Sequence, residues 1–131
     1  MRRYWDASAL VNAFFDSRVE KLSREPDQWT RVHTLAEMFS TFTGGHLGHR
    51  YAPADASAIV QQLTAAMNFM ELSLQEVKDA LEEAQDHGVR GGNIHDWLHA
   101  CAARKAGATI LLTDNLTDYG NLADGFKVEP P

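Results

Sequence analysis

The chain has 131 residues, of which 44% are hydrophobic and 23% charged, and its net charge is −6. This length and composition are those of one soluble globular domain over residues 1–131. The net negative charge argues against a dedicated nucleic-acid-binding domain, which would carry an excess of basic residues. The single cysteine, Cys101, cannot form an internal disulfide, and no apolar stretch approaches the roughly 20 residues that span a bilayer. We therefore expect a cytoplasmic protein without a membrane segment.

Short strand patterns alternate with helical patterns along the chain. In chain order these are a strand at 4–5, a helix at 8–15, a polar break around 26, a strand at 31–34, a helix from about 35 to 42, a helix from about 55 to 67, a strand at 68–72, an acidic helix from about 74 to 84, a helix from 93 to 106, a strand at 109–112 and an edge strand at 126–128. Apart from its first residue, Thr109, the run at 109–112 is continuously apolar, as expected for a strand buried on both faces. The alternation predicts an α/β domain with a mostly parallel sheet.

Two helices carry patterns that predict which side faces the core. In the acidic helix, apolar residues at 74, 77, 81 and 84 predict the buried stripe, and the acids predict a solvated face. In the helix at 93–106, Asp96, Ala100, Ala103 and Gly107 share one side, opposite a broader apolar stripe. We expect the small residues to let this helix approach its neighbours closely, which would hold Asp96 near the sheet.

Four carboxylates lie at the predicted junctions between strands and the segments that follow them. Asp6 follows the first strand, Glu37 lies in the first helical turn after the second, Asp96 lies near the start of the helix at 93–106, and Asp114 follows the apolar strand. Ligands of open α/β sheets bind beyond the carboxyl ends of the strands. We therefore expect these four acids at one edge of the sheet.

Each acid also has a purely local interpretation. Asp6 can cap a helix, residues 34–37 match a capping box, residues 93–96 match it more weakly, and Asp114 with Asn115 is ordinary turn chemistry. Capping alone does not require all four acids at one edge, so only their conjunction favours a functional site.

A cluster of four carboxylates would be unfavourable without a cation, because mutual repulsion raises the pKa values of its members. Carboxylate oxygens without thiolates suit Mg²⁺ or Mn²⁺ better than zinc. Such an ion can activate water and stabilise the charge of a phosphodiester undergoing displacement. The acids therefore point to metal-assisted hydrolysis.

The runs WDASALVNAF, LAEMFSTF, GGNIHDWLHACAARKAGA and ILLTDN, in that order and spacing, resemble the PIN-domain ribonucleases. The similarity is greatest to the VapC-type toxins of bacterial toxin–antitoxin pairs, and it is strongest at 6–14 and 91–119. It implies a three-layer α/β/α sandwich, an acidic pocket that holds Mg²⁺ or Mn²⁺, and hydrolysis of RNA. It also implies a homodimer and a cognate antitoxin that covers the active cleft.

The resemblance assigns roles to individual residues. The catalytic and metal-binding acids that it implies are Asp6, Glu37, Asp96 and Asp114, with Glu37 binding the ion directly or through water. The residues expected to support them are Ser8, Thr113, Asn115 and Asp118. Asp118 competes with Asp114 for the fourth acidic position, and we favour Asp114 because it directly ends the strand.

Alternatives remain for the substrate contacts and for the function. Five basic residues are candidates for RNA contacts or simple surface solubilisers: Arg2, Arg3, Arg90, Arg104 and Lys105. His95 and His99 have the i, i+4 spacing of the zinc-protease motif, although Asp96 is one methylene shorter than its glutamate. The other alternative is a catalytically silent PIN-fold module that binds proteins.

Overall fold

The structure is a computed structural model that describes residues 1–131. Its five strands are β1 (Arg3–Trp5), β2 (Gln28–Arg31), β3 (Asn68–Met70), β4 (Ile110–Leu112) and β5 (Lys127–Glu129). Every neighbouring pair is parallel, and the strand order is β3-β2-β1-β4-β5. The carboxyl ends of all five strands therefore lie at one edge of the sheet.

Helices connect these strands. They are α1 (Ala7–Phe15), α2 (Ser17–Ser23), α3 (Thr34–Thr43), α4 (Pro53–Leu63), α5 (Leu74–Glu83) and α6 (Asn93–Ala106), with short 3₁₀ helices at Ala84–His87 and Leu116–Tyr119. None of the helices is both long and apolar enough to cross a membrane.

The sheet separates two hydrophobic cores, because successive side chains of a strand point to opposite faces. Trp5 and Leu112 pack on one face with residues of α1–α4, whereas Tyr4 and Leu111 pack on the other with residues of α5 and α6. Each large apolar side chain buried in this way contributes about 1.5–3 kcal/mol relative to an exposed one. The predicted three-layer α/β/α sandwich with a parallel sheet is confirmed, and the sheet is entirely parallel.

The second strand was predicted three residues too late. β2 occupies Gln28–Arg31, and two of its buried side chains, Gln28 and Thr30, are polar. Gln28 accepts a hydrogen bond from Trp5 Nε1 at 2.8 Å, and Thr30 Oγ1 donates to the Trp5 carbonyl at 2.8 Å. These bonds allow polar residues in the core, so hydrophobicity alone could not locate the strand.

Helix α2 was not predicted at all. It lies in a polar segment, where only Val19 and Ser23 are buried. Asp16 caps it by accepting a hydrogen bond from the backbone N–H of Arg18 at 2.9 Å. With only one buried apolar residue, the segment lacks the repeated hydrophobic positions by which a helix is predicted from sequence.

The predicted buried stripe of the acidic helix was wrong for its two leucines, while Val77 and Ala84 are half-buried. Leu74 is 74% exposed and Leu81 54% exposed, while Ala80 is the residue of α5 that is buried. The indole of Trp97 donates a hydrogen bond to the Ala80 backbone carbonyl at 2.8 Å, so α5 is joined to α6 at its smallest residue. The large leucines consequently face outward.

The prediction for α6 is confirmed in its main feature. Ala100 and Ala103 are both buried, and the helix ends at Gly107, which has a left-handed φ of 72°. The small side chains bring α6 against the sheet, and they place the start of the helix near the carboxyl ends of the strands.

Candidate active site

A cavity of about 690 Å³ lies at the carboxyl edge of the sheet, where β1, β2 and β4 lead into the segments that follow them. Its walls carry all four acids singled out in the sequence: Asp6, Glu37, Asp96 and Asp114. The other polar residues that line it are Ser8, His33, Ser40, Thr41, His95, His99 and Asn115. The parallel sheet thus brings together carboxylates that are distant in the sequence.

Asp6 is held by three hydrogen bonds and is only 3% exposed. Its Oδ1 accepts from the Ala9 backbone N–H at 3.0 Å and from Ser8 Oγ at 2.7 Å, and its Oδ2 accepts from Tyr119 Oη at 2.9 Å. Burial, together with the charges of Asp6 and Asp96, raises the pKa of Tyr119 far above its ordinary value, so this phenol remains a donor. Asp6 is therefore both the N-cap of α1 and a fixed carboxylate on the cavity wall.

Glu37 does not belong to a capping box, contrary to the sequence pattern. The N-cap of α3 is His33, which makes no side-chain capping bond. Thr34 Oγ1 instead lies within hydrogen-bond distance of Thr30 Oγ1, at 2.8 Å, inside the core. Glu37 is consequently free to interact across the cavity.

The partner of Glu37 is a histidine of α6. His99 Nε2 lies 2.9 Å from Glu37 Oε1. Burial by itself raises the pKa of Glu37, but the hydrogen-bonding contact with His99 and the electrostatic influence of His99, Arg31 and His33 together outweigh it. The pKa of Glu37 therefore lies below its ordinary value, and its carboxyl group is ionised at neutral pH.

Asp96 lies in a less favourable environment. Its Oδ2 accepts a hydrogen bond from Asn93 Nδ2 at 3.1 Å, while the N-cap position of α6 is Gly92, so the weaker capping box is not formed either. Burial raises the pKa of Asp96, and the nearby charges of Asp118 and Asp6 raise it further. This carboxylate gains from any cation that enters the cavity.

Asp114 is oriented by α1. Both of its carboxylate oxygens accept from Asn12 Nδ2, at 2.9 and 3.1 Å, and its backbone N–H donates to Ser8 Oγ at 2.9 Å. Asp118 does not line the cavity, and its backbone carbonyl accepts from Asn93 Nδ2 at 3.1 Å. Of the two competing acids, Asp114 is the one on the cavity wall.

The three smaller supporting residues form a turn behind the acids. Ser8 Oγ lies 3.2 Å from Thr113 Oγ1, which in turn accepts from the Asn115 backbone N–H at 3.0 Å. Because Ser8 also bonds to Asp6 and to the Asp114 backbone, it connects the ends of β1 and β4. Asn115 lines the cavity, whereas Thr113 is completely buried behind it.

Four of the five basic residues proposed as RNA contacts lie at the opposite end of the fold. Arg2 and Arg3 are at the amino end of β1, and Arg104 and Lys105 are in the last turn of α6. All four are ion-paired, in the pairs Arg2–Asp27, Arg3–Glu25, Arg104–Asp124 and Lys105–Glu76. Only Arg90, which is exposed just before α6, remains near the cavity end of that helix.

The donor atoms of the cavity suit a hard divalent cation. They are carboxylate oxygens, and one oxygen each of Glu37 and Asp96 accepts no hydrogen bond from the protein. No three His, Cys, Asp or Glu side chains are grouped closely enough to form a ready-made metal site. The cavity therefore suits such a cation by the type and charge of its donor atoms, and not by a preformed set of ligands.

The histidine pair does not offer a zinc site. His99 Nδ1 lies 2.7 Å from Tyr4 Oη and its Nε2 lies 2.9 Å from Glu37 Oε1, within a residue that is 2% exposed. Both ring nitrogens thus face other side chains of the protein and not the cavity space that an ion would occupy. His95 lacks the second imidazole ligand that the zinc-protease motif requires.

Several side chains around the acids were not found by the sequence analysis. Asn12, Tyr119 and, in this role, His99 contact the acids, and His33 lines the cavity beside them. A signal existed for one of them, because Asn12 is four residues after Ser8 and therefore lies on the same face of α1. The contacts of Tyr119 and His33 depend on the tertiary fold and have no local pattern.

No family model and no curated protein matches the sequence. Solved structures nevertheless match its fold. PAE2754 from Pyrobaculum aerophilum is 17% identical with a TM-score of 0.72, and the match covers 98% of this chain and 89% of that one. VapBC2 from Rickettsia felis, solved bound to a DNA fragment from its promoter, is 15% identical with a TM-score of 0.69 over 99% and 98% of the two chains.

A third similar structure is VapC20 from Mycobacterium tuberculosis, a toxin that cleaves the sarcin–ricin loop. It is 24% identical with a TM-score of 0.59, and the match covers 83% of this chain and 86% of that one. The fold is thus the PIN-like α/β/α sandwich of the VapC toxins. The resemblance predicted from the sequence is confirmed at the level of the fold.

Proposed function

We propose that this protein is a metal-dependent endoribonuclease and the toxin of a type II toxin–antitoxin system. The observation that carries the proposal is the convergence of four carboxylates on one cavity of a PIN-like fold. The similarity to VapC20, which cleaves the sarcin–ricin loop, supports RNA as the substrate.

In this proposal, Asp6, Asp96 and Asp114 hold Mg²⁺ or Mn²⁺, and Glu37 binds it directly or through water. The ion would supply activation of water and neutralisation of charge on the phosphodiester. The hydrogen bonds to Asp6 and Asp114 fix these carboxylates before substrate arrives. Fixed carboxylates need no reorganisation during the reaction, which is the main source of electrostatic catalysis.

Glu37 has a second role in the proposal. Its carboxylate is ionised at neutral pH and faces the same cavity, so it can accept a hydrogen bond from the attacking water and orient it towards phosphorus. The oxygen of that water forms the new bond to phosphorus as the bond to the leaving oxygen breaks. The water loses a proton to a cavity carboxylate or to solvent, and the leaving oxygen takes up a proton to become a hydroxyl.

We also propose a cytoplasmic homodimer that is inhibited by an antitoxin protein. The complexes VapBC2 from Rickettsia felis and VapBC-1 from nontypeable Haemophilus influenzae support the antitoxin, because both have this fold over 99% of the chain. VapBC-1 is 19% identical to this chain. Co-expression with the product of a short neighbouring reading frame, followed by co-purification, tests this part.

The nuclease proposal is tested by cleavage of a mixed RNA pool by the wild type, Asp96→Asn and Asp124→Asn. We expect wild-type cleavage with Mg²⁺ or Mn²⁺, none with EDTA, and a decrease of about 100-fold or more in Asp96→Asn. Asp124→Asn is the matched control, because Asp124 is 72% exposed and pairs with Arg104 at the far end of α6.

Two results would contradict the nuclease proposal. Cleavage that persists unchanged in Asp96→Asn would identify a contaminating nuclease. A folded wild type that binds Mn²⁺ but cleaves no RNA would favour the silent protein-binding module.

A further inference from the structure

His99 links a cavity acid to a tyrosine buried beneath the cavity. The side chain of His99 is 3% exposed, and Tyr4 is completely buried on the sheet face that α6 covers. Tyr4 Oη lies 2.7 Å from His99 Nδ1, and His99 Nε2 lies 2.9 Å from Glu37 Oε1. The three side chains therefore form one continuous chain from the core of the sheet to the cavity wall.

The roles at His99 Nδ1 depend on the tautomer of the imidazole, and one neutral tautomer serves both contacts. Burial raises the pKa of Tyr4 well above its ordinary value, so the phenol keeps its proton and is able to donate a hydrogen bond to His99 Nδ1. A neutral imidazole that accepts at Nδ1 carries its own proton on Nε2. This nitrogen is the one that faces Glu37.

The contact between His99 and Glu37 is short but bent. Nε2 is buried, and its N–H bond is not directed well enough at an acceptor to form a regular hydrogen bond, although Oε1 lies only 2.9 Å away. Buried N–H groups are almost always paired, and catalytic hydrogen bonds often tighten when a ligand arrives. The Glu37 side chain is 23% exposed, so it has room for the small movement that aligns the pair.

We propose that His99 is a positioning residue, which holds Glu37 Oε1 through Nε2–H and leaves Oε2 for the cation or the attacking water. Tyr4 fixes the orientation of the imidazole from the other side. The inference rests on the proposed function, since orienting Glu37 serves catalysis only if the cavity binds a cation. The contact itself can be tested without RNA cleavage.

Two substitutions of His99 separate positioning from packing. His99→Gln places an amide N–H near the position of Nε2, whereas His99→Asn places its polar group near Nδ1 and does not reach Glu37. We expect His99→Gln to bind Mn²⁺ within about threefold of the wild type, and His99→Asn to bind it about tenfold or more weakly. Titration followed by electron paramagnetic resonance measures both affinities, and thermal unfolding compares the stability of the two variants.

Equal Mn²⁺ affinity in the two folded variants would overturn the proposal, because a packing role does not distinguish Gln from Asn in this way. Rescue of RNA cleavage by His99→Gln but not by His99→Asn is the second expected result. Absence of cleavage in the wild type would contradict the nuclease function, while the difference in Mn²⁺ affinity would still support the positioning role.

The protonated nitrogen of His99 gives a measurement that needs no variant. Long-range ¹H–¹⁵N spectra of the wild type at about pH 8, where imidazole is ordinarily neutral, report which ring nitrogen carries hydrogen. We expect a proton on Nε2, with or without one on Nδ1. A proton on Nδ1 alone would overturn the proposal, because Nε2 could then donate nothing to Glu37.

Discussion

At the scale of single residues, carboxylates of the same cavity differ because their hydrogen bonds differ. Asp6 accepts three hydrogen bonds, one of them from Tyr119, whereas Asp96 accepts one from Asn93. Burial therefore acts on Asp96 with little compensation and raises its pKa. In the metal-free protein, the ionised carboxylate of Asp96 therefore destabilises the fold.

This charge leads to a prediction for Asp96→Asn in the absence of metal. Because the pKa of Asp96 is raised in the folded protein, its ionisation destabilises the fold at neutral pH, and the penalty disappears below about pH 4, where the unfolded chain is also protonated. We expect Asp96→Asn to unfold at a higher temperature than the wild type at pH 7. The difference should shrink as the pH falls.

Thermal unfolding in EDTA between about pH 3 and pH 7 measures this difference. Asp124→Asn again serves as the control, since its carboxylate is exposed. A variant that is less stable than the wild type at every pH would mean that Asp96 is needed for folding.

At the scale of elements, the sequence predicted the strands and helices whose hydrophobic residues are the ones that pack in the core. Leu111 and Leu112 of β4 and the small residues of α6 are of this kind, since they are buried as expected. β2 is built on hydrogen-bonded polar side chains, and α5 contacts α6 through Ala80 instead of its leucines. These contacts are set by the tertiary fold and not by hydrophobic periodicity, so a single sequence does not reveal them.

The start of α5 provides a prediction at this scale. The hydrogen bond from Lys105, together with the Ser73 backbone N–H, lowers the pKa of Glu76 to about 2. A lowered pKa means that the charge stabilises the fold above the unfolded value of about 4.3 and that this contribution is lost as the pH falls to about 2. We expect Glu76→Gln to lower the urea midpoint at pH 7, since the amide keeps the cap but loses the ion pair.

The decrease in the urea midpoint should vanish near pH 2, and Glu82→Gln on the same helix should show no comparable change. Glu82 is the matched control because it is exposed and forms no ion pair. A decrease that is the same at every pH would contradict this prediction, because it would come from the hydrogen bonds of the helix cap and not from the charge of Glu76.

At the scale of the whole molecule, the strand order creates the candidate site. β1 and β4 are neighbours, so the residues that follow them, Asp6 and Asp114, come to one edge together with the start of α6. This gathering of acids could be predicted from the sequence. The partners of those acids could not, because contacts such as that of Tyr119 with Asp6 join segments that only the finished fold brings together.

The central claim is that the acids of the cavity act as one metal-dependent nuclease site. The Mn²⁺ dependence of RNA cleavage by the wild type and Asp114→Asn tests it most directly. We predict that wild-type cleavage rises from zero and saturates with Mn²⁺, and that Asp114→Asn needs at least about tenfold more Mn²⁺ or cleaves nothing. Cleavage that is independent of Mn²⁺, or the same Mn²⁺ dependence in both proteins, would contradict the claim.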